Sequence, residues 1–397
     1  MSEEAPQRRP RNRKQLIVAA AARQFEQGGF HDVAVADIAA EVGITASALY
    51  RHFRGKSGLL AAAVEQEIEL LEQAYGGAAD LPALLDAAAT LLLRPNRPGS
   101  VWQRGQVFLE PGCAAELEVR YLAALEPLRR AVVAAAPDSI GHADAEARTW
   151  AVHSVLTTGR AFERARVDRD RTRRLLVEAA TAVAAVGELL PGRAVVPRAV
   201  VGQRGRLRPV SRREAVLSAA VRLFAERGFR AVGMDDIGAA AGISGPTLYH
   251  HFPRKSALLA HVITRCLDAM QFELAGVLSS TDDAAEALEQ ALASLVRINV
   301  AQGDALAALF TEVVHVPEDE RAPIRRMQQD YVDEWAVLLV ACRPELTRPD
   351  AQALVRSTQT VVNTMRLRLP LDEAGQRAAL QRIGRAVLGT RSAEPGQ

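Results

Sequence analysis

Residues 37–60 read DIAAEVGITASALYRHFRGKSGLL, and residues 236–259 read DIGAAAGISGPTLYHHFPRKSALL. The two stretches match without a gap at an offset of 199 residues, and the match reaches back to Arg13 and Arg212. Phe25, Gly29, Phe30, Asp37, Ile38, Gly43, Leu49, Tyr50, His52, Phe53, Lys56 and Leu60 return as Phe224, Gly228, Phe229, Asp236, Ile237, Gly242, Leu248, Tyr249, His251, Phe252, Lys255 and Leu259. A match of this length marks one supersecondary unit used twice. The chain holds three lysines, Lys14, Lys56 and Lys255, and two of them share one repeat position.

Each copy parses as three short helices. Ile17, Ala20, Ala21 and Phe25 form one apolar face of a first helix, which the pair Gly28-Gly29 is expected to stop. A second helix follows over about 35–42. Gly43 then allows the left-handed conformation of a tight turn, and Thr45 suits the N-cap of a third helix running to about Phe53. The second copy repeats this with Gly242 and Ser244, and Pro246 falls in the first helical turn, where a missing N–H is harmless. Two helices joined by a short glycine turn make a helix-turn-helix.

Outside the repeat, 397 residues call for two or more domains. Aromatic residues make up 5%, Ala, Leu, Arg and Glu abound, and alternating β-branched runs are scarce, which reads as an all-α fold. No run approaches a membrane span, no apolar segment follows the charged start, and three cysteines lie far apart. A reducing cytoplasm is the expected home, with no membrane partner, no cofactor and no metal. The net charge of +2 is a cancellation: residues 1–60 carry +3, residues 197–260 carry +7, and the remainder carries −8.

The two basic islands suit DNA. In the third helix Leu49 and Phe53 point inward with Ile38, as Leu248 and Phe252 do in the second copy, leaving Thr45, Ala46, Ser47, Ala48, Arg51 and His52 outward and Tyr50 at the edge. Small residues at the N-terminal end permit close approach to base edges, and Arg51 offers a bidentate fork for guanine. Tyr50, His52 and Lys56 are donors suited to phosphate oxygens. The second copy presents Ser244, Gly245, Pro246, Thr247, Tyr249, His250, His251 and Lys255. Ahead of the copies lie basic arms that include Arg11 and Arg13, and Arg208 and Arg212.

At these residues the chain resembles the TetR family of bacterial transcriptional regulators, whose head carries a pattern like D-I-A-x-x-x-G-[IV]-[ST]-x-x-x-L-Y-x-H-F-x-x-K-x-x-L-L. Both copies match it nearly throughout, so the chain looks like a tandem TetR regulator, an arrangement known among actinobacteria. Val35 and Met234 stand where the family often has Thr, which removes a cap at both sites. The resemblance implies two heads, residues 1–60 and 211–259, and two helical ligand-binding and dimerisation bodies, residues 61–190 and 260–390, joined by a linker and arm, residues 191–210. It implies that the last two helices of each half, about 142–166 with 170–189 and about 349–369 with 372–388, pair into a four-helix bundle, an intrachain pseudo-dimer.

The linker's Pro-, Gly- and Arg-rich stretch can span about 60 Å at ~3.3–3.6 Å per residue, enough for major-groove visits ~34–36 Å apart. Because TASALYRHF and SGPTLYHHF expose different residues, an imperfect or asymmetric double-stranded operator is expected.

A repressor released by a small apolar effector, such as a lipid, sterol or acyl derivative, is what the resemblance implies. Met270, Phe310, His315, Met327, Tyr331, Trp335 and Asn363 are candidate lining residues in the second half, with Cys266, Phe272 and Met365 near them. Trp102, Phe108, Cys113, Tyr121, Trp150, His153 and Phe162 are their counterparts in the first, where the Pro- and Gly-rich segment 94–112 is expected to alter or close the pocket. Met and aromatic side chains serve equally as helical core. Two other readings stand beside this one: a constitutive DNA-binding regulator without a ligand, and a helical enzyme or carrier. No GxSxG, HExxH, phosphate loop or dinucleotide fingerprint supports catalysis.

Overall fold

The computed structural model describes residues 13–77, 80–94, 101–136, 140–190 and 211–390. Among the described residues every regular element is a helix. The chain divides into two compact units, residues 1–130 and 131–397.

The first unit begins with α1 (Arg13–Asp32), α2 (Val35–Glu41) and α3 (Ala46–Tyr50), which form the first head, and continues with α4 (Gly55–Tyr75), α5 (Leu81–Leu92), α6 (Trp102–Gly105) and α7 (Pro111–Ala135), whose last turn passes out of the unit. Ile17, Phe25, Ile38, Leu49 and Phe53 are buried together, the inward set expected from their spacing. Gly43 takes φ +67°, and the N–H of Ile44 reaches the carbonyl of Ala39 at 2.9 Å. That bond closes a Schellman turn which only a left-handed residue permits. Thr45 then caps α3 by accepting from the N–H of Ala48 at 3.2 Å. Helix α1 spans Arg13 to Asp32.

The second unit holds α8 (His142–Leu156), α9 (Gly159–Arg164), α10 (Arg169–Ala184), α11 (Arg212–Ala231), α12 (Met234–Ala241), α13 (Gly245–His251), α14 (Lys255–Ser280), α15 (Ala284–Glu312), α16 (Glu318–Cys342), α17 (Arg348–Arg366) and α18 (Glu373–Leu388). Helices α11 to α13 are the second head. Here Gly228 breaks the helix with φ +76°, and Gly242 repeats the left-handed turn at φ +70°.

Helices α8 and α10 of the first half pack with α17 and α18 of the second into a four-helix bundle inside this unit. Asp168 and Asp372 cap α10 and α18 through the N–H groups of Arg171 and Gly375, at 2.9 and 2.8 Å. Thr347 and Asp350 form a capping box on α17. The single helix expected over 142–166 is two, because Thr157 and Thr158 turn their hydroxyls onto the carbonyls of Ser154 and Val155, and α9 starts afresh at Gly159. Side-chain bonds of this kind compete with the helical ladder.

Several buried polar groups in the bundle are paired, though the Ser357 hydroxyl on α17 is not. Arg148, 2% exposed, meets Asp144 at 2.8 Å and donates to the carbonyl of Ala184, while Asp144 accepts the N–H groups of Leu189 and Leu190. His153 is fully buried, and burial, then the neighbouring Arg368, pushes its pKa down to about 3. Among the described residues no helix is long and apolar enough to cross a membrane.

The acid limb of stability follows from His153. Its imidazole stays neutral in the folded chain, whereas an unfolded histidine takes a proton near pH 6.5. Stability is therefore full above about pH 6.5 and falls as pH drops toward 3, by up to ~1.4 kcal/mol per pH unit from this group. Urea unfolding at pH 7, 6 and 5 should show that loss, and His153→Gln should flatten it.

Candidate nucleic-acid interface

On the first head Thr45, Ser47, Tyr50, Arg51 and His52 are exposed, and Ala46 and Ala48 half-buried between them. Helix α3 is shorter than its sequence suggests. It ends at Tyr50, so Arg51 and His52 stand on the turn that follows, held where the N–H of His52 bonds the carbonyl of Leu49 at 2.9 Å. On the second head Ser244, Pro246, Tyr249 and His250 are exposed, Gly245, Thr247 and His251 half-buried, and α13 runs through His251. Tyr50 and Tyr249 are 54% and 50% exposed, large aromatic surfaces with no structural reason to face water. Ser244 leaves the backbone uncapped and bonds Thr247 at 2.9 Å instead.

Arg13 and Arg212 are exposed at the first residue of α1 and α11; Arg11 and Arg208 lie outside the described residues. The next residue repeats a contact that the sequence did not announce. Lys14 stands 5.9 Å over the ring of Phe53, and Arg213 stands 5.2 Å over Phe252. Each arm thus begins from a cation seated on the aromatic that ends the reading helix.

Lys56 and Lys255 have neighbours of their own inside the heads. The ammonium of Lys255 donates to the carbonyls of Phe229 and Val232, both at 2.7 Å, and lies 4.3 Å from the centre of the Phe229 ring. Two of its three protons are spent closing the end of α11. Lys56 stands over the ring of Phe30, at 4.9 Å, and burial lowers the pKa of both lysines. A compact ammonium fits between two carbonyls and a ring face where a planar guanidinium does not. At Lys255 that geometry is a physical reason for lysine in an arginine-rich chain.

The same two phenylalanines join each head to its body. Phe108, at the end of a 3₁₀ turn (Gln106–Phe108), stacks on Phe30 with centroids 5.0 Å apart. His315, at the end of the matching turn (Val313–His315), stacks on Phe229 at 4.7 Å and pairs with Glu312 at 2.9 Å. His315, expected in an effector pocket, is therefore at the head joint.

The remaining effector candidates divide. Met270, Tyr331 and Trp335 are buried, with Tyr331 and Trp335 rings 5.9 Å apart and the Tyr331 hydroxyl's pKa raised by burial. Met327 and Asn363 are half-buried, the side chain of Phe310 lies outside the described residues, and Phe272 is 82% exposed and lines no interior. Trp102 stacks on Tyr121 at 5.6 Å, Phe108 touches the head, and Trp150 and His153 pack in the bundle. The buried carboxylate of Glu67 accepts the N–H groups of Val101 and Trp102 at 2.8 and 2.9 Å, holding the indole inside that body. A surface groove of about 460 Å³ between α14 and α15, lined by Glu273, Val277, Gln290, Ala293, Ser294 and Arg297, uses none of the expected residues.

Lys255→Met keeps the aliphatic stem and removes both carbonyl bonds. Charged hydrogen bonds are worth ~1.5–3 kcal/mol each, so the melting temperature should drop while the slope of log affinity against log salt stays unchanged; a lysine that serves phosphate would lower that slope by about one.

The family model for bacterial regulatory proteins of the tetR family matches residues 17–63 and again 216–262. An uncharacterized HTH-type transcriptional regulator of Mycobacterium tuberculosis (strain ATCC 25618 / H37Rv) is 31% identical over 170 residues, 42% of this chain and 80% of that protein. The HTH-type transcriptional repressor KstR2 of Rhodococcus jostii (strain RHA1) is 31% identical over 131 residues, covering 33% of this chain and 64% of its own length. The HTH-type transcriptional activator FasR of Mycolicibacterium smegmatis is 38% identical over 87 residues, 22% of this chain and 40% of its own. The chain thus spans less than two thirds of these two relatives. The solved KstR2 of Mycobacterium tuberculosis aligns with 46% of this chain and 97% of its own, at 24% identity and a TM-score of 0.41. With two in-register matches and a relative aligned over four fifths of its length, the chain belongs to the tetR family of bacterial regulatory proteins, as a regulator with two heads in tandem.

Proposed function

We propose that the chain is a transcriptional repressor that reads one asymmetric operator with two unlike heads and is released by a small apolar effector taken up by the second half. The observation that carries this reading is the pair of exposed reading surfaces, alike in frame and different in side chain. Arg51 offers a bidentate donor where His250 offers a single ring edge, and Ser47 faces Pro246 across the repeat. Tyr50, His52, Tyr249 and His251, with the arms, are the phosphate contacts that set register. The relative named a repressor supports the sign of regulation, and the one named an activator supplies the second reading.

The second body is the favoured receiver because its candidates include the buried set of Met270, Tyr331 and Trp335, whereas the first body keeps Trp102 inside itself. The signal has a short path within the second unit. Movement of the turn carrying His315, or of the α16 start where Glu320 pairs with Arg254 of the head, shifts the stacked Phe229 and the end of α11. An effector that prefers the shifted arrangement lowers DNA affinity by its difference in binding energy between the two states.

Selection from random DNA should return an imperfect operator whose half-sites differ, and a perfect palindrome would overturn the two-reader model. On that operator Arg51→Ala should cost ~1–3 kcal/mol and relax base preference at one half-site only. Thermal melting against a panel of fatty acids, sterols and acyl thioesters should find a compound that raises the melting temperature and also releases DNA; a panel that stabilises nothing would favour a constitutive regulator.

A further inference from the structure

The four-helix bundle has a pseudo-two-fold frame and a set of polar contacts that disobeys it. The frame is fixed by the caps: Asp168 on α10 matches Asp372 on α18, and Gly141 before α8 matches Thr347 before α17. Three residues beyond those caps, Arg171 matches Gly375, and Asp144 matches Asp350. Ten residues beyond the capping aspartates, Glu178 matches Arg382.

Arg171 of the first half pairs with Asp350 of the second at 3.1 Å, and the Asp350 carboxylate is 3% exposed. The two-fold mate of this bond is missing, since Gly375 has no side chain to offer. Asp144 is engaged instead by Arg148 and by the N–H groups of Leu189 and Leu190 within its own half. Arg343, ahead of α17, pairs with Glu178 of the first half at 2.6 Å and donates to the carbonyl of Leu388 at 3.0 Å. Its mate is also missing: the matching residue ahead of α8 is Pro137. Arg368 stands 3.8 Å over the ring of Trp150, a cation on an aromatic from the other half, and Arg382 donates to the backbone carbonyl of Glu188.

We infer that this interface is keyed: the α8/α10 face of the first half takes the α17/α18 face of the second and rejects a second copy of either. Two second-half faces set together bring Arg343 onto Arg382, like charge on like, and turn buried Asp350 toward Gly375, which leaves a carboxylate without its cation. Two first-half faces set together put Arg171 against an Asp144 whose oxygens are already taken. Every molecule then presents two unlike heads, and symmetric assemblies with two copies of one head are excluded.

The test begins with the intact chain, carrying a protease site placed between residues 191 and 210 and cleaved after folding. The cut protein is unfolded in urea, refolded, and examined by native mass spectrometry. Pairs of one first half with one second half are expected almost exclusively, where unbiased pairing gives like pairs about half of the total. Like pairs at that share, or lone halves, would overturn the proposal. A charge swap in the uncut chain tests the key without refolding. Arg343→Glu should lower the melting temperature by about 3–6 °C, and adding Glu178→Arg should restore more than half of the loss. A double variant as unstable as the sum of its parts would show that this pair does not hold the halves in register.

Discussion

Helices α10, α17 and α18 each carry one apolar stripe and α8 is buried on nearly every face, and the two pairs cover these surfaces by packing against the other half of the chain. Burial of those stripes is the condition under which the rest of the architecture exists, because hydrophobic burial is the main favourable term and only packing of an amphipathic face makes such helices stable. It also explains why the compact units divide at residue 130 and not in the linker. The end of the first half is built into the second.

Within that frame the two halves have diverged in a consistent direction. The first body encloses Trp102 and stacks it on Tyr121, with Glu67 fastening the backbone beside it. The second keeps Tyr331 and Trp335 on one helix and brings a histidine, not a phenylalanine, to the head joint. Gene duplication supplies two equal copies; what stands here is one half that buries Trp102 against Tyr121 and one half that stacks a histidine on the phenylalanine of its head. The division of labour lies in which aromatic occupies which interior.

The heads were legible in the sequence because their determinants are local. Gly43 and Gly242 mark turns that need a left-handed residue, and Leu49, Phe53, Leu248 and Phe252 fall at spacings that only one helix face satisfies. The bundle helices were legible for the same reason, through periodicity and capping residues such as Asp168 and Thr347. The carbonyl bonds of Lys255 were not legible, because a cation beside a reading helix looks the same in sequence whether it faces phosphate or a carbonyl of the preceding helix. His315 was misread because its partner, Phe229, is 86 residues away. Separation along the chain hides a contact that turn chemistry does not encode. The break at Thr157-Thr158 lay in plain view but depends on which carbonyl each hydroxyl chooses.

An intrachain bundle has a kinetic meaning as well. A regulator assembled from two separate subunits has a folded fraction that varies with its own concentration, so at low copy number its occupancy of DNA rises with roughly the square of synthesis. When both halves are joined by one backbone, assembly is a first-order event and dilution does not undo it. The second head meets DNA at an effective concentration set by the tether.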